Sequence, residues 1–152
     1  RFITITLYEG IRTRCTEKTV LPLAGLHLLL AEDNELNSEI ATALLEEQGA
    51  SITAVENGRL ALEAIQNAAP RTYDAILMDV MMPEMNGLEA TRCIRAFEGK
   101  GPGEGTPIIA MTANVFADDV KACLDAGMNS HVGKPLDMKV LIGEILKYAD
   151  AR

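Results

Sequence analysis

An α/β fold on a five-stranded parallel sheet is predicted over residues 26–148, and three observations predict it. Short apolar runs alternate with amphipathic stretches, five of each. The first, third and fourth runs are apolar at consecutive positions instead of every second one, so they belong in a sheet buried on both faces. Gly or Pro punctuates most of the joins. Strands that alternate with helices need crossover connections, which means parallel pairing with helices on both faces of the sheet.

The elements follow in order. Leu26–Ala31 is the first strand, broken by His27, and ends in Glu32-Asp33-Asn34. Leu36, Ile40 and Leu44 fall at helical spacing within Glu35–Gln48, and Gly49 stops that helix. Ser51–Val55 is the second strand, after which Asn57-Gly58 turns the chain into a helix through Leu62 and Ile65, closed by Pro70. Tyr73–Met78 is the third strand and ends at Asp79. Beyond the Met81–Gly87 loop a helix carries Leu88, Thr91, Cys93, Ile94 and Phe97. Residues 99–105 hold four glycines and Pro102 and read as a loop. Pro107–Met111 is the fourth strand, Phe116–Ala126 a helix stopped by Gly127, residues 130–132 a short fifth strand and Met138–Tyr148 the last helix.

The chain has 152 residues, enough for one domain, and 48% of them are apolar, enough for a core without cross-links. Its net charge of −8 argues against direct nucleic-acid binding. Residues 1–22 carry +2 of that total and the remainder −10, so the first stretch reads as another piece of protein. There Ile3, Ile5 and Leu7 alternate with Thr4 and Thr6 like the end of a preceding domain or a loosely docked tail. Leu21-Pro22-Leu23 reads as a linker, and residues 23–152 as the domain proper. Cys15, Cys93 and Cys123 lack disulfide or zinc spacing and read as free thiols of a reducing, cytoplasmic compartment. No apolar run is long enough to cross a bilayer, and the start at Arg1 suggests a piece of a longer chain.

Ligands of parallel α/β sheets bind outside the carboxyl ends of the strands. Glu32 and Asp33 follow strand one, Asp79 strand three, Thr112 strand four and Lys134 strand five. Three neighbouring carboxylates call for a cation, and hard oxygen ligands favour Mg²⁺ or Mn²⁺. A carboxylate can attack phosphorus to give an acyl phosphate, whose charge a metal, an ammonium and a hydroxyl can share. Asp79 as nucleophile, Asp33 and Glu32 for the metal, Lys134 as counter-charge and Thr112 as hydroxyl donor form a complete set. Singly each has a plainer role, such as a helix cap, a strand end or a solvated charge. Their joint placement favours a site.

These segments resemble the response-regulator receiver family: Glu32-Asp33-Asn34, Ile76 to Pro83, Met85-Asn86-Gly87, Pro107 to Asn114 and Gly133-Lys134-Pro135, in the family's order and spacing over residues 24–148. The resemblance implies a doubly wound, flavodoxin-like fold similar to the chemotaxis protein CheY. It implies a phosphoacceptor Asp79, supplied by a phosphohistidine of a histidine kinase or phosphotransfer domain, in a domain that catalyses its own phosphorylation and dephosphorylation. Asp33, Asp79 and the Met81 backbone carbonyl would ligate Mg²⁺, with Glu32 acting through water. Thr112 would be the switch hydroxyl, Ala113 would leave the phosphoryl oxygens accessible, Met81 and Asn114 would tune its lifetime, and the Lys134-Pro135 peptide would be cis. His131 stands where the family carries Tyr or Phe, which puts the aromatic readout in doubt.

The context reads as the C-terminal receiver of a hybrid sensor histidine kinase. Gly87 is read as a turn glycine with positive φ, and Met78, Met81, Met82 and Met85 as core filling around the site. Two rival classes stand beside this reading. A haloacid-dehalogenase-like phosphohydrolase needs a second Asp two positions after the nucleophile, where this chain has Met81. A pseudo-receiver would lack the complete acidic, hydroxyl and lysine set, and a flavodoxin-like binding module would carry a phosphate-cradling Gly/Ser/Thr loop after strand one, which this chain lacks.

Overall fold

The computed structural model describes residues 21–113 and 116–149; the Ile3–Leu7 alternation, Cys15 and Asn114 lie outside the described residues. Five strands alternate with five helices: β1 (His27–Ala31), α1 (Glu35–Glu47), β2 (Ser51–Val55), α2 (Gly58–Asn67), β3 (Ala75–Asp79), α3 (Gly87–Glu98), β4 (Ile108–Thr112), α4 (Ala117–Ala126), β5 (Ser130–Gly133) and α5 (Met138–Ala149). All strand pairs are parallel, in the order β2-β1-β3-β4-β5. The chain thus runs outward from β1 to β2, jumps back over β1 to β3, and proceeds to the other edge. Among the described residues no helix is long and apolar enough to cross a membrane.

The side-chain alternation along each strand makes two cores. Leu29, Ile76, Met78, Ile108 and Ala110 face Ala61 and Ile65 of α2, Ala90 and Ile94 of α3 and Cys123 of α4. Leu28, Leu30, Leu77, Ile109, Met111 and Val132 face Ala41 and Leu45 of α1 and Leu141 and Ile145 of α5. Every residue of β3 and β4 is buried, which is why those runs are apolar without alternation.

Three helix starts use asparagine. The side chains of Asn34, Asn57 and Asn86 accept hydrogen bonds from Asn37, Leu60 and Glu89 backbone N–H groups, and the Glu89 carboxylate accepts one from the Asn86 backbone N–H, completing a capping box. Gly99 and Gly127 end α3 and α4 in the left-handed conformation that glycine adopts without strain.

Several boundaries differ from expectation by a residue or two. β1 starts at His27, β4 runs one residue later than predicted, and β5 includes Gly133. β3 starts at Ala75 instead of Tyr73, where its pairing with Leu28 begins, and the Tyr73 ring packs 4.7 Å from that of His27. Leu21-Pro22-Leu23 is not a free linker: Leu23 is fully buried in the α1/α5 core and its N–H bonds the Gln48 carbonyl. The stripe whose spacing marks α1 in the sequence lies away from the sheet. Leu36, Ile40 and Leu44 are 63%, 50% and 36% exposed, whereas Ala41 and Leu45, one position on, face the sheet.

At the far end of the sheet a buried guanidinium ties three segments together: α3, the approach to β4 and the α4–β5 turn. Arg95 donates to Gly127 O, Thr106 O, Asn129 Oδ1 and Glu98 Oε1 at 2.8–3.0 Å.

Candidate functional site

In an open parallel sheet the carboxyl ends of two strands splay into a crevice where the winding reverses. Here that point lies between β1 and β3, the central strands from which the chain goes opposite ways. β1 runs straight into Glu32 and Asp33, and β3 ends on Asp79. One carboxylate oxygen from each of the three lies within 4.8 Å of the others. Glu32 and Asp79 are buried, and Asp33 stands exposed at the rim.

Lys134, next after β5, reaches across to both buried carboxylates. Its Nζ donates to Asp79 Oδ2 at 3.0 Å and to Glu32 Oε1 at 3.1 Å. Its backbone N–H donates to the Thr112 carbonyl, which joins the β5 exit to the end of β4. The Lys134-Pro135 peptide is cis, as the resemblance implies. Burial disfavours the ammonium, but the hydrogen bonds and charges of Asp79 and Glu32 outweigh it, and Lys134 stays charged above the usual lysine range. The cluster therefore holds three carboxylates against one ammonium, a donor set of hard oxygens with uncompensated negative charge that suits a divalent cation such as Mg²⁺.

Thr112 is buried as the last residue of β4, and Ala113 beside it is exposed. His131 is half-buried and pairs in register with Ala110, on the α4 side of the sheet. Met81 follows the nucleophile candidate by two residues, and its N–H bonds Asp79 Oδ1 at 3.3 Å. Core filling holds for Met78 and Met82, which are buried, but not for Met81, whose side chain is 77% exposed. Gly87 has no positive φ. It is required for another reason: a Cβ there would stand 2.3 Å from the Asp79 carbonyl oxygen. The positive φ of this loop falls on Glu84. Sequence reading missed both Gly58 and this loop's backing by α2, for which the Asn57-Gly58 pair was the available signal.

Residues 28–146 match the family model of the response regulator receiver domain. The chain belongs to that family. Among its relatives, the sensor histidine kinase GacS of Pseudomonas protegens is 36% identical over 137 residues, covering 90% of this chain and 15% of the kinase. Histidine kinase 1 of Arabidopsis thaliana is 34% identical over 172 residues, covering 92% of this chain and 14% of the kinase. The chain thus spans about a seventh of the length of these curated relatives. The receiver domain of the sensor histidine kinase PA1611 from Pseudomonas aeruginosa PAO1, solved with a magnesium ion in its active site cleft, superposes with a TM-score of 0.72 at 38% identity, covering 84% of this chain and 99% of that one. A Saccharomyces cerevisiae receiver domain co-crystallised with a histidine phosphotransfer protein superposes with a TM-score of 0.74 at 26% identity, covering 82% and 89%.

Proposed function

We propose that this receiver domain takes a phosphoryl group from a phosphohistidine onto the Asp79 carboxylate. A carboxylate oxygen of Asp79 attacks phosphorus, the N–P bond of the donor breaks, and the leaving imidazole nitrogen takes up a proton. The ammonium of Lys134 compensates the phosphoryl charge and the Thr112 hydroxyl donates to one of its oxygens, while small Ala113 leaves the approach open. Asp33, Asp79 and the Met81 carbonyl would hold Mg²⁺ (or Mn²⁺), with Glu32 acting through water. The metal supplies charge neutralisation for two anions brought together. Thr112 and His131 then carry the change toward α4, and Met81 and Asn114 tune how long it lasts.

The observation that carries this reading is the meeting of Glu32, Asp33, Asp79 and Lys134 at the winding reversal. Labelling with acetyl phosphate and Mg²⁺ tests it: Asp79→Asn should abolish the hydroxylamine-sensitive label, and a label retained there removes Asp79 as nucleophile. Saturable NMR shifts with beryllofluoride would separate it from a pseudo-receiver, which should give none.

The kinship with histidine kinases supports a wider context, the receiver module of a hybrid sensor kinase, with residues 23–152 as the domain and 1–22 leading from what precedes it. A phosphohistidine donor must reach Asp79, so its docking surface has to border the pocket mouth. The exposed Leu36, Ile40 and Leu44 stripe, on the helix that starts just past Asp33, supplies an apolar surface there for a phosphotransfer partner.

A further inference from the structure

The loop from Val80 to Asn86 joins the nucleophile strand to α3, and it is gripped from two sides. On the inner side, Gly87 packs against Asp79 so closely that a Cβ would lie 2.3 Å from Asp79 O and 3.0 Å from Val80 Cα, and its N–H bonds Val80 O at 2.9 Å. On the outer side stands Gly58, the buried first residue of α2. Its N–H donates to the Met85 carbonyl at 2.9 Å, and a Cβ on Gly58 would lie 2.3 Å from that oxygen and 2.9 Å from Asn86 O and the Ala90 Cβ. Next to it Arg59 reaches Glu84 Oε1 at 3.3 Å, where the loop turns through a φ of +65°.

We propose that Gly58 is a positioning residue for the acidic pocket, although the three atoms nearest a Cβ there all belong to Met85, Asn86 and Ala90. Its contact with the loop is backbone on backbone, so no flexible side chain can absorb a displacement. The inner end of the loop is locked to Asp79 through Gly87, so a shift at Met85 passes along to Val80 and Met81. The absence of a side chain at Gly58 thus sets where the Met81 peptide sits. This inference rests on the reading in which that peptide's carbonyl helps to hold Mg²⁺.

Coupling between two sites is reciprocal, so Mg²⁺ must also act on the Gly58 contact. In a Mg²⁺ titration of the ¹⁵N-labelled chain, the Gly58 amide should shift saturably with the midpoint of the Asp79 and Met81 amides, and its hydrogen exchange should slow. Gly58→Ala should weaken Mg²⁺ binding by about tenfold or more, the range for groups that support metal ligands. Gly143→Ala, made in α5 where a Cβ meets nothing within 4 Å, should leave it unchanged. A wild-type chain whose Asp33 and Asp79 amides ignore Mg²⁺ would sink the metal reading itself. Saturable shifts at those amides with a silent Gly58, or Gly58→Ala at wild-type affinity with a lower Tm, would overturn the positioning role alone. If Gly58→Ala does not fold, the wild-type Gly58 amide decides.

Discussion

Lys134 stabilises the pocket by standing between two buried carboxylates with only a quarter of its side chain in water. Lys134→Ala leaves Glu32 and Asp79 facing each other unneutralised. The expected cost is about 2 kcal/mol, below the roughly 3–5 kcal/mol of a fully buried pair because water screens the lysine. Its folded-state pKa is raised, so the ammonium's contribution is complete below the ordinary lysine value of about 10.4 and fades only as pH climbs through the raised one. Chemical denaturation at pH 7 in chelator should show the loss, and Mg²⁺ should recover most of it by supplying the missing charge. At this scale the residue types were legible in sequence. The reason for Gly87 was not, since a glycine that lets a backbone pass close by reads the same as one that permits a positive φ. Met81 likewise read as core because its apolar type does not say which way the side chain points.

Helix α1 shows how spacing can predict an element without saying which of its faces meets the sheet. Leu36, Ile40 and Leu44 share one stripe, Ala41 and Leu45 another, offset by one residue or about 100°. The sheet takes the second, where small Ala41 lets the helix come close and Leu45 fills the core. Leu45→Ala should therefore cost about 3 kcal/mol, whereas Ile40→Ala should stay near 0.5 kcal/mol, measured as urea unfolding midpoints. Equal costs would contradict the orientation in which Leu45, and not Ile40, meets the sheet. A charge on the outer stripe should act on the partner and not on the fold. Ile40→Asp is expected to slow phosphoryl transfer from a histidine phosphotransfer protein by tenfold or more, about 1.4 kcal/mol of lost docking. Acetyl phosphate, which needs no docking surface, should label it as well as wild type.

For the whole molecule, the fold stores negative charge at one end of the sheet and relieves it with Lys134 and, on the reading above, a metal. A ligand that binds only the folded state stabilises it by mass action, so Mg²⁺ at a hundred times its Kd should raise unfolding stability by about 2.7 kcal/mol. Asp33→Ala should remove that increment while leaving the metal-free stability near wild type, because Asp33 is exposed; calorimetry with and without Mg²⁺ checks both. By itself the sequence determined the number and kind of elements, the two-sided burial of β3 and β4, and which reactive residues end the strands, because strand period and helix punctuation are local properties. It could not decide which α1 stripe meets the sheet, whether Leu23 lies inside or outside the core, or that α2 backs the loop beyond Asp79. Those depend on which surfaces remain to be covered once the strands have paired in the order β2-β1-β3-β4-β5, and only the assembled sheet sets that.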